Sequence, residues 1–127
     1  MKLLLDTHIL LWWLDDDPKL KPRLRRMLAD QRYEIIVSIA SLWEVAIKHQ
    51  VGKLAASAPL IAANLAEQGL SPLSVSVDHL AAIERMPRHH GDPFDHLLLA
   101  QAQVEGAALM TLDAQLGSYG VPCIGIS

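Results

Sequence analysis

Short runs with no polar residue in them, separated by longer helical stretches, constrain this chain more than any other feature of its sequence. Leu3-Leu4-Leu5, Ile35-Ile36-Val37 and Ala107-Ala108-Leu109-Met110 are the clearest of these runs. A strand with one wet face alternates apolar and polar residues, whereas a strand apolar on both sides must be covered on both sides. Strands of that kind, alternating with helices, fold as a parallel sheet. The expected class is therefore α/β.

The punctuation gives the element order. Lys2–Leu5 reads as a strand ending at Asp6, followed by an almost wholly apolar helix, Thr7–Leu14. Asp17-Pro18 signals a helix start, with the helix running to about Gln31. A second strand is expected over residues 34–37, after which Ser38 caps a helix that stops at Gly52. Ser57-Ala58-Pro59 opens a helix ending at Gly69, and residues 73–77 read as a third strand with Asp78 capping a short helix to Arg85. Residues 86–91 form a polar loop. Asp92-Pro93 then opens a helix closed by Gly106, and strands are expected over 107–111 and 121–126.

A length of 127 residues fits one domain, 1–127, with a core of its own. With 51% hydrophobic and 20% charged residues, the chain is not intrinsically disordered. Its longest unbroken apolar stretch, Ile9 to Leu14, falls far short of the roughly 18 residues a membrane span needs. Lys2 and the leucines after it loosely resemble a signal peptide, but Asp6 and His8 interrupt the apolar region and Asp15-Asp16-Asp17 come after it. That segment is expected to belong to the fold. Cys123 is the only cysteine, so no internal disulfide and no cysteine-based zinc site can form. A cytoplasmic location, away from any membrane, is the simplest expectation. The net charge of −3 means that any nucleic-acid binding must be local.

Four acids stand out by position. Asp6 ends the first strand, and Asp113 lies just beyond the strand at 107–111. Glu44 lies on the helix entered from the second strand, and Asp95 in the first turn of the helix opened by Asp92-Pro93. Ligand crevices in open parallel sheets lie off the carboxyl ends of the strands, so all four can converge there. Each also has a structural reading. Asp6 can cap the helix beginning at Thr7, and Asp113 a short turn through Leu116. Glu44 has Lys48 four residues on, and Asp92-x-x-Asp95 is close to a capping box.

The neighbours weigh against those readings. Asp95 heads the run Leu97-Leu98-Leu99-Ala100, and Glu44 borders a stripe of Ile39, Leu42, Trp43 and Ala46. A buried carboxylate takes a partner or protonates. No cation is evident for Asp6, Asp95 or Asp113, since Lys53 is the last lysine. Carboxylates gathered without cations repel, and a divalent ion resolves the repulsion. All-oxygen ligands suit Mg²⁺ or Mn²⁺.

Leu4-Leu5-Asp6-Thr7-His8, the run SIASLWEVAIK at 38–48, Asp92-Pro93-Phe94-Asp95 and Thr111-Leu112-Asp113 occur in this order. Together they resemble a PIN-domain nuclease, specifically the VapC-type toxins of type II toxin–antitoxin systems, over residues 3 to about 126. The resemblance implies a three-layer α/β/α sandwich with a central, mainly parallel sheet. It implies an endoribonuclease dependent on Mg²⁺ or Mn²⁺ that hydrolyses RNA phosphodiester bonds. Asp6, Glu44, Asp95 and Asp113 map onto the catalytic, metal-binding acids, with Asp6 and Asp95 the expected direct ligands. Thr111 would orient a carboxylate. A cognate antitoxin and a second copy of the chain are the implied protein partners. Such toxins often carry Arg directly after the DPFD run, where this chain has His96, which could meet phosphate only when protonated.

Other features carry less. Lys19, Lys21, Arg23, Arg25 and Arg26 form a basic helix face, solvated or contacting an RNA backbone. His89, His90, Asp92 and His96 lack a zinc-site spacing. Trp12 and Trp13 suit a core or a protein interface. A phospho-receiver needs an acidic pair at the first strand and a late lysine, and both are missing here. The remaining alternative is a catalytically silent PIN-like domain that binds RNA or protein.

Overall fold

A computed structural model describes residues 1–126. Four strands form one parallel sheet in the order β2-β1-β3-β4, where β1 is Lys2–Leu5, β2 Glu34–Ile36, β3 Ala108–Met110 and β4 Cys123–Ile124. Leu3 pairs with Ile35 on one side and Ala108 on the other, so the first apolar run lies at the centre of the sheet.

The strand side chains divide by parity into two cores, as the pleat requires. Leu3, Leu5, Ala108 and Met110 face one way and pack with α1 (Thr7–Leu14), α2 (Pro22–Ala29), α3 (Ile39–Gln50) and α4 (Ala58–Glu67). Leu4 and Leu109 face the other way, against α6 (Pro93–Glu105) and the short 3₁₀ helix Ala114–Tyr119, with Ile83 of α5 (Val77–Arg85) packed at its margin. The result is a sheet between two helical layers. Among the described residues no helix is long and apolar enough to cross a membrane.

Two expectations from the sequence fail for identifiable reasons. The helix signalled by Asp17-Pro18 begins instead at Pro22, after Lys21. A helix begun at Pro18 would place Pro22 in its interior, where the ring clashes with the carbonyl four residues back. Asp17 instead makes a turn, its carboxylate accepting the Lys19 amide at 2.9 Å and its carbonyl the Leu20 amide at 3.0 Å.

The strand expected at 73–77 shrinks to a single bridge between Leu73 and Ser38. Val75 and Val77 are exposed, so their alternation with serine faces no core. Ser76, and not Asp78, caps the next helix. Its hydroxyl accepts the His79 amide while the His79 ring accepts the Ser76 amide, a capping box with histidine in the place usually held by Glu or Gln. The strands expected at 34–37, 107–111 and 121–126 are present but shorter.

Candidate functional site

Because every strand is parallel, the carboxyl ends of β1, β2 and β3 share one edge of the sheet, and the chain leaves each at that edge. The Asp6 amide donates to the Met110 carbonyl at 3.0 Å, extending the β1–β3 pairing by one residue and setting Asp6 beside Thr111. Thr111 is held from its other side, its amide donating to the Ile124 carbonyl at 2.9 Å. Gly125 lets the chain pass there. Its φ is +112°, and a Cβ at that position would lie 2.5 Å from the Thr111 carbonyl oxygen.

Asp6 is 7% exposed. One carboxylate oxygen caps α1 by accepting the Ile9 amide at 2.9 Å, and the other accepts the Thr111 hydroxyl. Burial raises the Asp6 pKa above the ordinary aspartate value, the Thr111 and Ile9 hydrogen bonds and then the charge of His8 pull against it, and the charge of Glu44 raises it further. The same Thr111 hydroxyl oxygen accepts the Asp113 amide at 3.0 Å. Asp113 itself is exposed and caps the 3₁₀ helix by accepting the Gln115 amide at 3.0 Å.

Glu44 reaches the same edge from α3. It accepts the Thr7 hydroxyl at 2.7 Å on one oxygen and pairs with Lys48 at 2.9 Å on the other, with its side chain 13% exposed. The ordinary i,i+4 ion pair is therefore present, alongside a hydrogen bond to the residue next to Asp6.

Asp95 lies in the first turn of α6, which Asp92 caps by accepting the Phe94 and Asp95 amides at 2.9 and 3.3 Å. Burial pushes the Asp95 pKa up to about 6, against a hydrogen bond from His90, with the charges of Asp92 and Asp113 adding to the rise. Its partner is His90, whose Nε2 lies 3.0 Å from Oδ2. The histidines singled out in the sequence gather on Tyr119. The His89 and His90 amides donate to its hydroxyl oxygen at 2.9 and 3.1 Å, and His90 Nδ1 and His96 Nε2 lie 2.6 and 3.1 Å from it. Burial, then the charges of His90 and Arg88, lower the His96 pKa.

The fold thus brings Asp6 and Glu44 into one electrostatic field and Asp95 and Asp113 into another, with Thr111 linking Asp6 to Asp113. Among the described residues, no three His, Cys, Asp or Glu side chains are grouped closely enough to enclose an ion. The chemistry of the donors nonetheless suits a hard divalent cation. Asp6 is a buried carboxylate whose partners are a hydroxyl and an amide rather than a cation, and Glu44 opposes it with like charge.

The sequence model of the PIN-domain family matches residues 3–121. The chain belongs to the PIN-domain family. Two solved structures with this fold are toxin–antitoxin assemblies. One is VapBC2 from Rickettsia felis, bound to a DNA fragment from their promoter, with a TM-score of 0.71, 17% identity and 98% of each chain covered. The other is a toxin–antitoxin complex from Klebsiella pneumoniae, with a TM-score of 0.61, 17% identity, and 96% of this chain and 95% of that one covered. No match was found among curated proteins.

In this PIN domain the roles of two polar partners of the acids, Thr7 and His90, and of Tyr119, which holds His90, have no signal in the sequence. Thr7 comes directly after Asp6, and its hydroxyl on Glu44 could be foreseen only by knowing that α3 crosses α1. His90 and Tyr119 are separated by 29 positions, and neither belongs to a recognisable motif. Of the basic cluster, Arg25 is engaged by Asp16 and by the Asp17 carbonyl at 2.8 Å, while Lys21, Arg23 and Arg26 are exposed. Trp12 and Trp13 are half-buried against the first core.

Proposed function

We propose that this PIN domain, a single unit over residues 1–127, is an endoribonuclease dependent on Mg²⁺ or Mn²⁺ that acts in the cytoplasm as the toxin of a toxin–antitoxin pair. The observation that carries the proposal is Asp6. It is a buried carboxylate at the carboxyl edge of the sheet, in no ion pair among the described residues, feeling the charge of Glu44 and tied through Thr111 to Asp113.

Asp6 and Asp95 would hold the ion directly, with Glu44 and Asp113 as further ligands or as acceptors for water beside it. When bound, the ion would polarise a phosphoryl oxygen and lower the pKa of water in the site. The chain's own work is positioning. Thr111 fixes the Asp6 carboxylate by one hydrogen bond and the Asp113 backbone by another. Thr7 and Lys48 hold Glu44 from opposite sides. The α6 N-terminus, aimed by Asp92, favours negative charge on Asp95. The basic residues Lys21, Arg23 and Arg26 would contribute only a diffuse attraction for the RNA backbone.

The protein partners are a cognate antitoxin and a second copy of the chain. Ile39, Trp43, Ile47 and Val51 recur every fourth residue on and just past α3 and are all exposed, with Phe94 packed edge-on to Trp43 at 4.8 Å between ring centres. An exposed apolar stripe of this kind suits a protein interface better than water. The two solved assemblies of the same fold support this reading, since each is a toxin–antitoxin complex.

The alternative, a silent PIN-like module that only binds RNA or protein, draws on the commitment of Glu44 to Lys48. Purified protein should cleave RNA when Mg²⁺ or Mn²⁺ is supplied and stop when it is chelated, and its expression should arrest growth unless the antitoxin is present. Binding of RNA without cleavage at any metal concentration would favour the silent module.

A further inference from the structure

The Tyr119 hydroxyl has an unusual set of neighbours, and their hydrogen count fixes more than a packing arrangement. A phenol oxygen accepts two hydrogen bonds and donates one. The His89 and His90 amides, at 2.9 and 3.1 Å, take both acceptor positions. Neither ring nitrogen that faces the oxygen can then carry a hydrogen directed at it. The single phenol hydrogen goes to the nearer one, His90 Nδ1 at 2.6 Å, in preference to His96 Nε2 at 3.1 Å. With Nδ1 accepting, the hydrogen of the His90 ring lies on Nε2, which faces Asp95 Oδ2 at 3.0 Å.

We infer that Tyr119 and His90 form a relay that positions the Asp95 carboxylate, with Tyr119 setting the His90 tautomer and His90 Nε2–H holding Oδ2, which leaves Oδ1 for a ligand. His90 is thereby a positioning residue, acting through Asp95. The arrangement depends on a loop anchored twice to one hydroxyl, and Tyr119 is itself buried. His96, directly after Asp95, packs edge-on to His90 at 4.9 Å between ring centres. Partners of ligating carboxylates and imidazoles set the orientation of the ligand, and their loss costs about 10- to 100-fold in metal affinity.

This inference rests on the proposed role of Asp95 as a metal ligand, and the test separates the two. Mn²⁺ binding to the full chain is measured by calorimetry for the wild type, Asp95→Asn, His90→Ala and His90→Gln, and the His90 tautomer is read by ¹⁵N NMR in wild type and Tyr119→Phe. The expected result is binding about tenfold weaker in His90→Ala, largely restored in His90→Gln, whose amide can donate to Oδ2. The wild-type spectrum should show the hydrogen on Nε2, and Tyr119→Phe should lose that preference. Wild-type affinity in His90→Ala, or a hydrogen on Nδ1 in the wild type, would overturn the relay alone. Wild-type affinity in Asp95→Asn, or no Mn²⁺ binding by the wild type, would overturn the role of Asp95 and the relay with it.

Discussion

Thr111 and Asp6, 105 positions apart in the chain, are joined by a hydrogen bond from the Thr111 hydroxyl to the Asp6 carboxylate. The pairing of β1 with β3 puts them side by side, and the same hydroxyl oxygen receives the Asp113 amide at 3.0 Å. Replacing the hydroxyl with a methyl group leaves both groups short of a partner while keeping the volume. Thr111→Val should therefore cost about 1–3 kcal/mol of stability and about 10- to 100-fold in Mn²⁺ affinity. Thr111→Ser should retain most of both. Chemical denaturation and calorimetry on the three proteins check it.

The turn at Gly125 tests whether that hydroxyl is held by the backbone. A Cβ there would collide with the Thr111 carbonyl at 2.5 Å, and its φ of +112° is strained for any side chain. Gly125→Ala should destabilise the fold by about 1–3 kcal/mol, read as a lowered denaturation midpoint. A fully stable variant would mean that the contact between this turn and Thr111 relaxes freely.

Asp95 gives a pH signature in metal-free buffer. Its pKa rises on folding, from the ordinary 3.8 to about 6, so between those values the folded state binds protons more tightly than the unfolded one. By linkage, its contribution makes the fold more stable as pH falls from about 6 toward 3.8, and costs stability above that window. Its partial exposure reduces the cost to about 1–2 kcal/mol. At pH 8, Asp95→Asn should therefore melt a few degrees above the wild type while losing metal binding. Equal melting temperatures at pH 8 would show that Asp95 is not penalised by burial.

Glu44 separates an ion pair from a functional acid. Its link to Lys48 is a half-exposed i,i+4 pair, worth about 0.3–0.5 kcal/mol. Lys48→Met should change stability by no more than that and leave most cleavage intact. Glu44→Gln should reduce cleavage by at least about tenfold, because it alters a carboxylate whose charge reaches Asp6 rather than a surface pair. If the two variants behaved alike, Glu44 would be structural.

The class of fold is legible because Leu3-Leu4-Leu5 and Ala107–Met110 are apolar on both faces, and only a sheet covered on both sides accommodates that. The caps at Asp6, Ser38 and Asp92 are equally plain, since each places a short oxygen-bearing side chain just before helical periodicity. Residues 73–77 mislead because alternation of apolar and polar residues says nothing about whether a core lies beneath it. Pro18 misleads as a helix start because the second proline, Pro22, overrides the signal of the first. At the site, the four acids can be named from their positions relative to the strands. Thr111 can be named with them from the run Thr111-Leu112-Asp113, but the roles of Thr7, His90 and Tyr119 cannot, because their contacts arise from helix crossing and loop closure rather than from local sequence.

On the proposed function, Asp6 is buried outside any ion pair because it serves a divalent ion in cleaving RNA. RNA cleavage by purified wild type and Asp6→Asn, measured across a titration of Mg²⁺ and after chelation, tests it most directly, because asparagine keeps the cap on α1 and with it the fold. The expected result is cleavage by the wild type only with metal, and none by a folded Asp6→Asn. Undiminished cleavage by Asp6→Asn, or wild-type cleavage that survives chelation, would contradict it.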